Sequence, residues 1–379
     1  MNKFEKAQQI LQEKNYDAWL IISYESNDIN SPFMLGVKAP SLHCIYIPIN
    51  GDNHVIAVEM EANMIREALK KKGVKAKVSH FSNAKEFFSL FSSIITKPRI
   101  AINYGENLFT PESTAYADFL PAGQFFTLKK LLPKTEFFSA APIIYELRSV
   151  KSKDEQKDLR NTCKATIEIL ETIPDIVKLG MTENDIKAEI EYRYMKIGTA
   201  LFPTIVGTGA HSADPHHNTS NKKIEPGPLL IDTGLQIDEM GSDITWTFWV
   251  GKHPSGDFID AYKALYESKK VANNYYIDGT PSILPAQKCR EYLAEIGIDH
   301  KKFFIHGLGH ALGFVAHDVG PRISIATSED SILKENMVHT NEPGLYWTGK
   351  YGIRLEDDII IGKEKCEQVT YNPKDPIII

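Results

Sequence analysis

Three histidines and an aspartate fall within one short stretch: His306, His310, His317 and Asp318 in HGLGHALGFVAHD. His306 and His310 stand four apart, the spacing by which a helix brings two imidazoles to one zinc ion. Gly307, Gly309 and Gly313 argue against that helix, because each costs about 1 kcal/mol relative to alanine in a helix interior. A loop or an extended segment is expected instead, in which a histidine serves as a ligand or simply occupies a glycine-rich turn.

Carboxylates supply the second pattern. Asp232 interrupts the apolar run LLIDTG, and Asp243 opens SDITWTF. Strands joined through LQIDEMG are expected to pair antiparallel and bring the two aspartates together, although both also suit turns at strand ends. The anomaly repeats further on: Glu342 precedes a Pro-Gly turn in TNEPG, and Glu356 lies within the strand-like GIRLEDDIII. If the four converge they repel, each pair by about 4 kcal/mol at about 4 Å and an effective dielectric of about 20. Such a cluster must take up protons or hold cations. Two divalent ions would balance its four charges, and His310 would add one nitrogen, a set suited to manganese, cobalt, iron or zinc rather than calcium. In TIVGTGAHSADPHH, His216 and His217 follow Pro215 in a glycine-containing loop where surface histidines are common; His211 and His217 receive no role.

The elements that must position these residues divide at a polar segment, RSVKSK. Before it, FEKAQQILQEKN reads as a helix and DAWLIISY as a buried strand. LHCIYIPI and HVIAVEM form a strand pair around NGDN. EANMIREALKKKG and AKEFFSLFSSII are helices, while RIAIN and FFTLKKL supply further strands. This is a small α/β domain, residues 1–147. After it, a long helix is expected to stop at Gly180, and Thr182 and Asp185 form a capping-box-like start for the next. From residue 200 the pattern is strand-rich, with two helices at roughly 255–278 and 284–297 and four more strand-like stretches beyond them. Residues 148–379 therefore read as α+β, with helices outside a curved, largely antiparallel sheet.

A chain of 379 residues is long enough for two cores. Its net charge of −6 gives no electrostatic reason to expect nucleic acid. Cys44, Cys163, Cys289 and Cys366 lie far apart with no C-x-x-C pair, which points to buried free thiols in a reducing compartment. MNKFEKAQQILQEKNY lacks the apolar core of a signal peptide, and no apolar run approaches the roughly 20 residues of a membrane helix. A cytoplasmic protein with no membrane partner is expected.

In order, TIVGTG…PHH, IDTG, SDITWTF, HGLGHALGFVAHD, TNEPGLY and GIRLEDD resemble the metallopeptidases of the pita-bread (creatinase/aminopeptidase) fold, closest to prolidase (Xaa-Pro dipeptidase) and aminopeptidase P. The resemblance implies a catalytic pita-bread domain behind a smaller creatinase-like α/β domain. It implies two divalent metal ions held by Asp232, Asp243, His310, Glu342 and Glu356, with Asp243 and Glu356 bridging. A water or hydroxide shared by the ions would attack the scissile carbonyl, Glu342 taking its proton. His216 and His317 match histidines that steady the substrate and shuttle protons, and His306 matches a further pocket histidine. Arg322 and Arg354 are candidates to face a substrate carboxylate or an acidic ligand, or to form structural salt bridges. Substrates would be small peptides with proline at the second position, and the assembly a homodimer. Three departures stand out: Trp246 where arginine is usual, leaving a charged contact near Asp243 absent; Asn341 in place of an aliphatic residue; and Asp318 in place of glutamate. A catalytically inactive binding module of the same fold, or a peptidase without proline specificity, is the alternative.

Overall fold

The computed structural model describes residues 1–106 and 115–379. They fall into two compact units, Met1–Arg148 and Ser149–Ile379. The first contains α1 (Lys3–Lys14), β1 (Ala18–Ser23), α2 (Asn30–Leu35), β2 (His43–Pro48), β3 (Asn53–Val58), α3 (Glu59–Lys71), β4 (Ala76–Phe81), α4 (Ala84–Ile94), β5 (Arg99–Ile102), α5 (Ala122–Leu131), β6 (Glu136–Ser139) and α6 (Ala141–Arg148). Its strands form one mixed sheet in the order β4-β3-β2-β1-β5-β6. β1 and β2 are buried along their whole length, which is why AWLIIS and HCIYIP read as continuous rather than alternating apolar runs.

One strand expectation fails here. FFTLKKL is not a strand but the C-terminal part of α5. Leucine, lysine and glutamine are good helix formers, and Phe125 and Leu128, three apart, both pack into the core of this unit. Lys129 and Lys130 in the last turn complement the helix dipole. The strand that pairs with the outer side of β5, opposite β1, is the following EFFS.

The second unit contains α7 (Lys153–Leu170), α8 (Ile173–Ile176), α9 (Glu183–Tyr194), β7 (Thr199–Ala200), β8 (Ile205–Thr208), β9 (Gly227–Thr233), β10 (Leu235–Ile237), β11 (Met240–Gly241), β12 (Ile244–Val250), α10 (Gly256–Asn273), α11 (Ile283–Glu295), α12 (His300–Phe303), β13 (Val338–Asn341), β14 (Gly344–Trp347), β15 (Tyr351–Arg354), β16 (Asp357–Ile360) and β17 (Glu367–Gln368). Capping boxes at Ser152–Glu155 and Thr182–Asp185 start α7 and α9. α7 ends at Leu170 rather than running to Gly180, because Pro174 cannot continue its hydrogen-bond ladder and instead sits in the first turn of α8. All named strand pairs of this unit are antiparallel: β8-β9-β12, β7-β10-β11, β13-β16-β17 and β14-β15.

Strand alternation sorts the residues around the centre. Ile244, Trp246 and Phe248 of β12 join Leu229 and Ile231 of β9 in a core with Ile186, Ile190 and Tyr194 of α9. Asp243, Thr245 and Thr247 therefore lie on the opposite face. Trp246 thus points away from Asp243, its indole N–H donating to the Tyr371 carbonyl at 3.0 Å. The departure from arginine alters the core packing rather than removing a charge beside Asp243. Among the described residues no helix is long and apolar enough to cross a membrane.

Candidate metal centre

Ligand-type residues collect where strands end. Asp232 lies in β9 opposite Thr245, Asp243 one residue before β12, Glu342 one residue after β13, and Glu356 in the break between β15 and β16. His310 belongs to a stretch without helix in which Gly309 bridges Ile323 and Ala311 bridges His339 of β13. Glycine is required for that approach: a Cβ on Gly309 would lie 2.1 Å from the Thr340 carbonyl oxygen.

The ligating atoms of Asp243, His310 and Glu356 fall within 4.8 Å of one another. His310 Nε2 stands 3.6 Å from both Asp243 Oδ2 and Glu342 Oε1. That is too long for a hydrogen bond but close to the separation of two ligands on one ion with bonds of about 2.0–2.2 Å. The ring is oriented as a ligand. Its Nδ1–H donates to the Ala311 carbonyl at 3.1 Å, which leaves the Nε2 lone pair free. Burial drives the imidazole down to about 3, so it is neutral.

Burial, reinforced by Glu356 and Asp232, pushes Asp243 well above the usual carboxylate range. Burial, with Glu342 and Asp232, does the same to Glu356, and burial lifts Glu342 to about 8. Asp232 is also raised by burial, against the pull of Arg354, and its Oδ1 is buried without a hydrogen-bond partner. Asp243, Glu342 and Glu356 are each raised further by at least one neighbouring carboxylate. An orphaned oxygen, a neutral nitrogen aimed at two carboxylates and a cluster resisting ionisation together fit divalent cations.

Around this cluster the polar partners are specific. Thr245 Oγ1 donates to Glu356 Oε2 at 2.6 Å and accepts from Arg354 Nε at 2.9 Å. Arg354 also pairs with Asp232 through Nη2, and Nη1 reaches the Pro215 carbonyl at 3.2 Å and the Tyr346 hydroxyl at 3.4 Å. Its contacts thus lie with an acidic residue, two hydroxyls and backbone rather than with open space. His306 is held at both nitrogens, Nδ1–H donating to Gly307 O at 2.7 Å and Nε2 accepting from the Tyr346 hydroxyl at 2.9 Å. His317 is exposed, its ring 4.2 Å from that of His310 at 80°. Partial desolvation lowers its titration, and the charge of exposed Arg322 lowers it further. His216 is also exposed and acts electrostatically on Asp232, His306 and His317.

The other departures have plain structural roles. Asn341 turns its amide to the Lys269 carbonyl and Asn273 Oδ1, at 3.0 and 2.7 Å. Asp318 accepts from the backbone N–H of Phe314 and Val319 at 2.6 and 2.7 Å and pairs with Lys151, which fixes the loop between His310 and His317.

Thr245, Tyr346 and Asp358 are not singled out by sequence pattern. Asp358 Oδ2 accepts from Asp243 N at 3.1 Å and from Cys163 Sγ–H at 3.2 Å. The two threonines of DITWTF, alternating with apolar residues, are the available signal for Thr245; no sequence signal marks the other two. Also unforeseen is a second triad of ligand-type residues, Glu183, His211 and His217.

The model of Metallopeptidase family M24 matches residues 157–363. An Xaa-Pro dipeptidase of Pyrococcus horikoshii is 30% identical over 338 residues, covering 88% of each chain. The crystal structure of an X-Pro aminopeptidase from Thermotoga maritima superposes with a TM-score of 0.86 at 26% identity over 100% of both chains. That of a prolidase from Pyrococcus horikoshii gives 0.81 at 27% identity over 98% of both. These full-length matches identify the fold as an N-terminal α/β domain followed by a C-terminal pita-bread domain. With this family model and these relatives, and with ligand-type carboxylates and a histidine collected at the strand ends of that second domain, the chain belongs to metallopeptidase family M24.

Proposed function

We propose that this chain hydrolyses the Xaa-Pro bond of small peptides, with Asp232, Asp243, His310, Glu342 and Glu356 holding two divalent ions. The observation that carries the reading is geometric: the ligating atoms of Asp243, His310 and Glu356 lie within 4.8 Å of one another, the free Nε2 of His310 stands 3.6 Å from Glu342 Oε1, and the charge of Asp232 acts on Asp243 and Glu356. Two such ions, when bound, would acidify a water toward neutrality and polarise the scissile carbonyl. Glu342, a carboxylate whose Oε1 lies 3.6 Å from His310 Nε2, would take that water's proton as general base. His317 and His216, both exposed, would contact the substrate carbonyl and deliver a proton to the departing proline nitrogen. Arg354 is assigned to holding Asp232 and Thr245 in place rather than to binding substrate.

Specificity for proline rests on the similarity to Xaa-Pro dipeptidases and an X-Pro aminopeptidase. An inactive binding module is disfavoured because all five ligand positions are filled. Hydrolysis of Xaa-Pro and Xaa-Pro-Yaa peptides by protein reconstituted with manganese, cobalt, iron or zinc tests the proposal. Cleavage of either class that disappears in Asp243→Asn supports it. No cleavage with any metal, or unchanged turnover in Asp243→Asn, refutes it.

A further inference from the structure

We propose that Glu183, His211 and His217 form a separate binding site for a divalent transition ion of the zinc class, which clamps the loop carrying His216. Glu183 opens α9 and is fully buried, with 0% exposure. Its Oε1 accepts from Thr208 N at 3.0 Å and His211 Nδ1 at 2.8 Å. Its Oε2 accepts from His217 Nε2 at 3.0 Å, Ser220 N at 3.0 Å and Ser220 Oγ at 2.6 Å. One carboxylate therefore ties down both ends of residues 208–220 and both imidazoles between them. The two rings lie 4.2 Å apart, and one nitrogen of each falls with a Glu183 oxygen within a 4.8 Å cluster.

Two imidazoles and one carboxylate differ from the carboxylate-rich centre in what they select. Nitrogen donors favour zinc, copper, nickel and cobalt over manganese, calcium or magnesium, and a His₂-carboxylate set with an open position is a known arrangement for zinc. An ion would replace the two ring protons that now face Glu183. Those protons need only move to His211 Nε2 and His217 Nδ1, a tautomer change without net proton loss. The nitrogen–oxygen contacts would open by roughly half an ångström to admit bonds of about 2.0–2.2 Å. His211 is 34% exposed along its side chain, which gives the ion an entrance and water a coordination position. Lys222, whose Nζ is 3.5 Å from the Thr208 carbonyl, adds a positive charge nearby and favours an exchangeable ion over a permanent one.

The consequence follows from chain order. His217 adjoins His216, whose N–H donates to Asp214 Oδ1 at 3.1 Å, and Pro215 accepts from Arg354. An ion held by His211 and His217 would restrict the segment between them. Its effect on turnover rests on the function proposed above; its existence does not.

The test uses the full chain stripped by chelator and titrated with Zn²⁺ or Co²⁺. In an Asp232→Asn/Asp243→Asn background, which disables the carboxylate centre, one equivalent should still bind, with Co²⁺ giving a visible absorption band. Adding His211→Asn and His217→Asn should abolish both the equivalent and the band. Anomalous scattering from wild-type crystals equilibrated with zinc, which needs no variant, should place a peak between the three side chains. Equal stoichiometry with and without the two histidines, or no anomalous peak there, overturns the proposal. Failure to cleave any Xaa-Pro peptide would refute the functional reading and leave this site untouched.

Discussion

Thr245→Val removes one hydroxyl and keeps the side-chain shape, so its effect can be worked from two contacts. The hydroxyl donates to Glu356 at 2.6 Å and receives Arg354 Nε at 2.9 Å, and the residue is fully buried. A hydrogen bond to a charged group contributes about 1.5–3 kcal/mol, which is roughly a 10- to 150-fold change in an equilibrium constant. Partners that orient metal ligands cost about 10–100-fold in metal affinity when removed, and the two magnitudes agree. Thr247→Val is the internal control. Its hydroxyl lies on the same face two residues on, donates to Arg354 O at 2.9 Å and accepts from Arg354 N at 3.2 Å, and has no carboxylate contact. It should cost about 1 kcal/mol of stability and leave metal affinity in place. Mn²⁺ titration of stripped protein, followed by direct binding and by peptide hydrolysis, with thermal melts of both variants, distinguishes them. Equal metal affinity in Thr245→Val and wild type would refute the role given to this hydroxyl.

Two further outcomes probe other links. Gly309→Ala should lose about 1–3 kcal/mol or more and weaken metal binding, because its Cβ meets backbone at Thr340. Gly123→Ala in α5, with open space around its Cβ, should be neutral or gain up to about 1 kcal/mol by denaturant melts; the reverse order contradicts the packing argument. Burial raises Asp28 from 3.8 to about 6 against hydrogen bonds from Asn30 and Asn103. Folded protein therefore binds this proton more tightly than unfolded chain. The stabilisation is complete below about pH 4 and is lost as pH rises through about 6, up to about 3 kcal/mol. Carboxyl NMR should give a midpoint near 6, and one near 4 would be decisive against it.

Local pattern carried much of this fold. The capping residues Thr182 and Asp185 announce α9, and the glycines of HGLGHALGF exclude a helix at His310, as observed. The carboxylate anomalies in LLIDTG and RLEDD also stand out in an otherwise apolar context. What stayed hidden depends on chain-distant partners. FFTLKKL lacks a decisive period, so tertiary packing of Phe125 and Leu128 settles it as helix. The direction of Trp246 requires knowing which face of β12 is covered by α9. His217 looks like a surface histidine until Glu183, thirty-four residues earlier, is seen beneath it. Tyr346 and Asp358 act only through side-chain contacts that no spacing encodes.

The most direct measurement is Xaa-Pro hydrolysis by chelator-stripped protein during titration with Mn²⁺ and, in parallel, with Co²⁺, Fe²⁺ and Zn²⁺, run beside Asp243→Asn. A metal-dependent centre built on Asp243 predicts no turnover in stripped protein, saturable recovery as Mn²⁺ is added, and none at any Mn²⁺ concentration in the variant. Hydrolysis by the stripped protein, no recovery on titration with any of the four metals, or full activity in Asp243→Asn would contradict it.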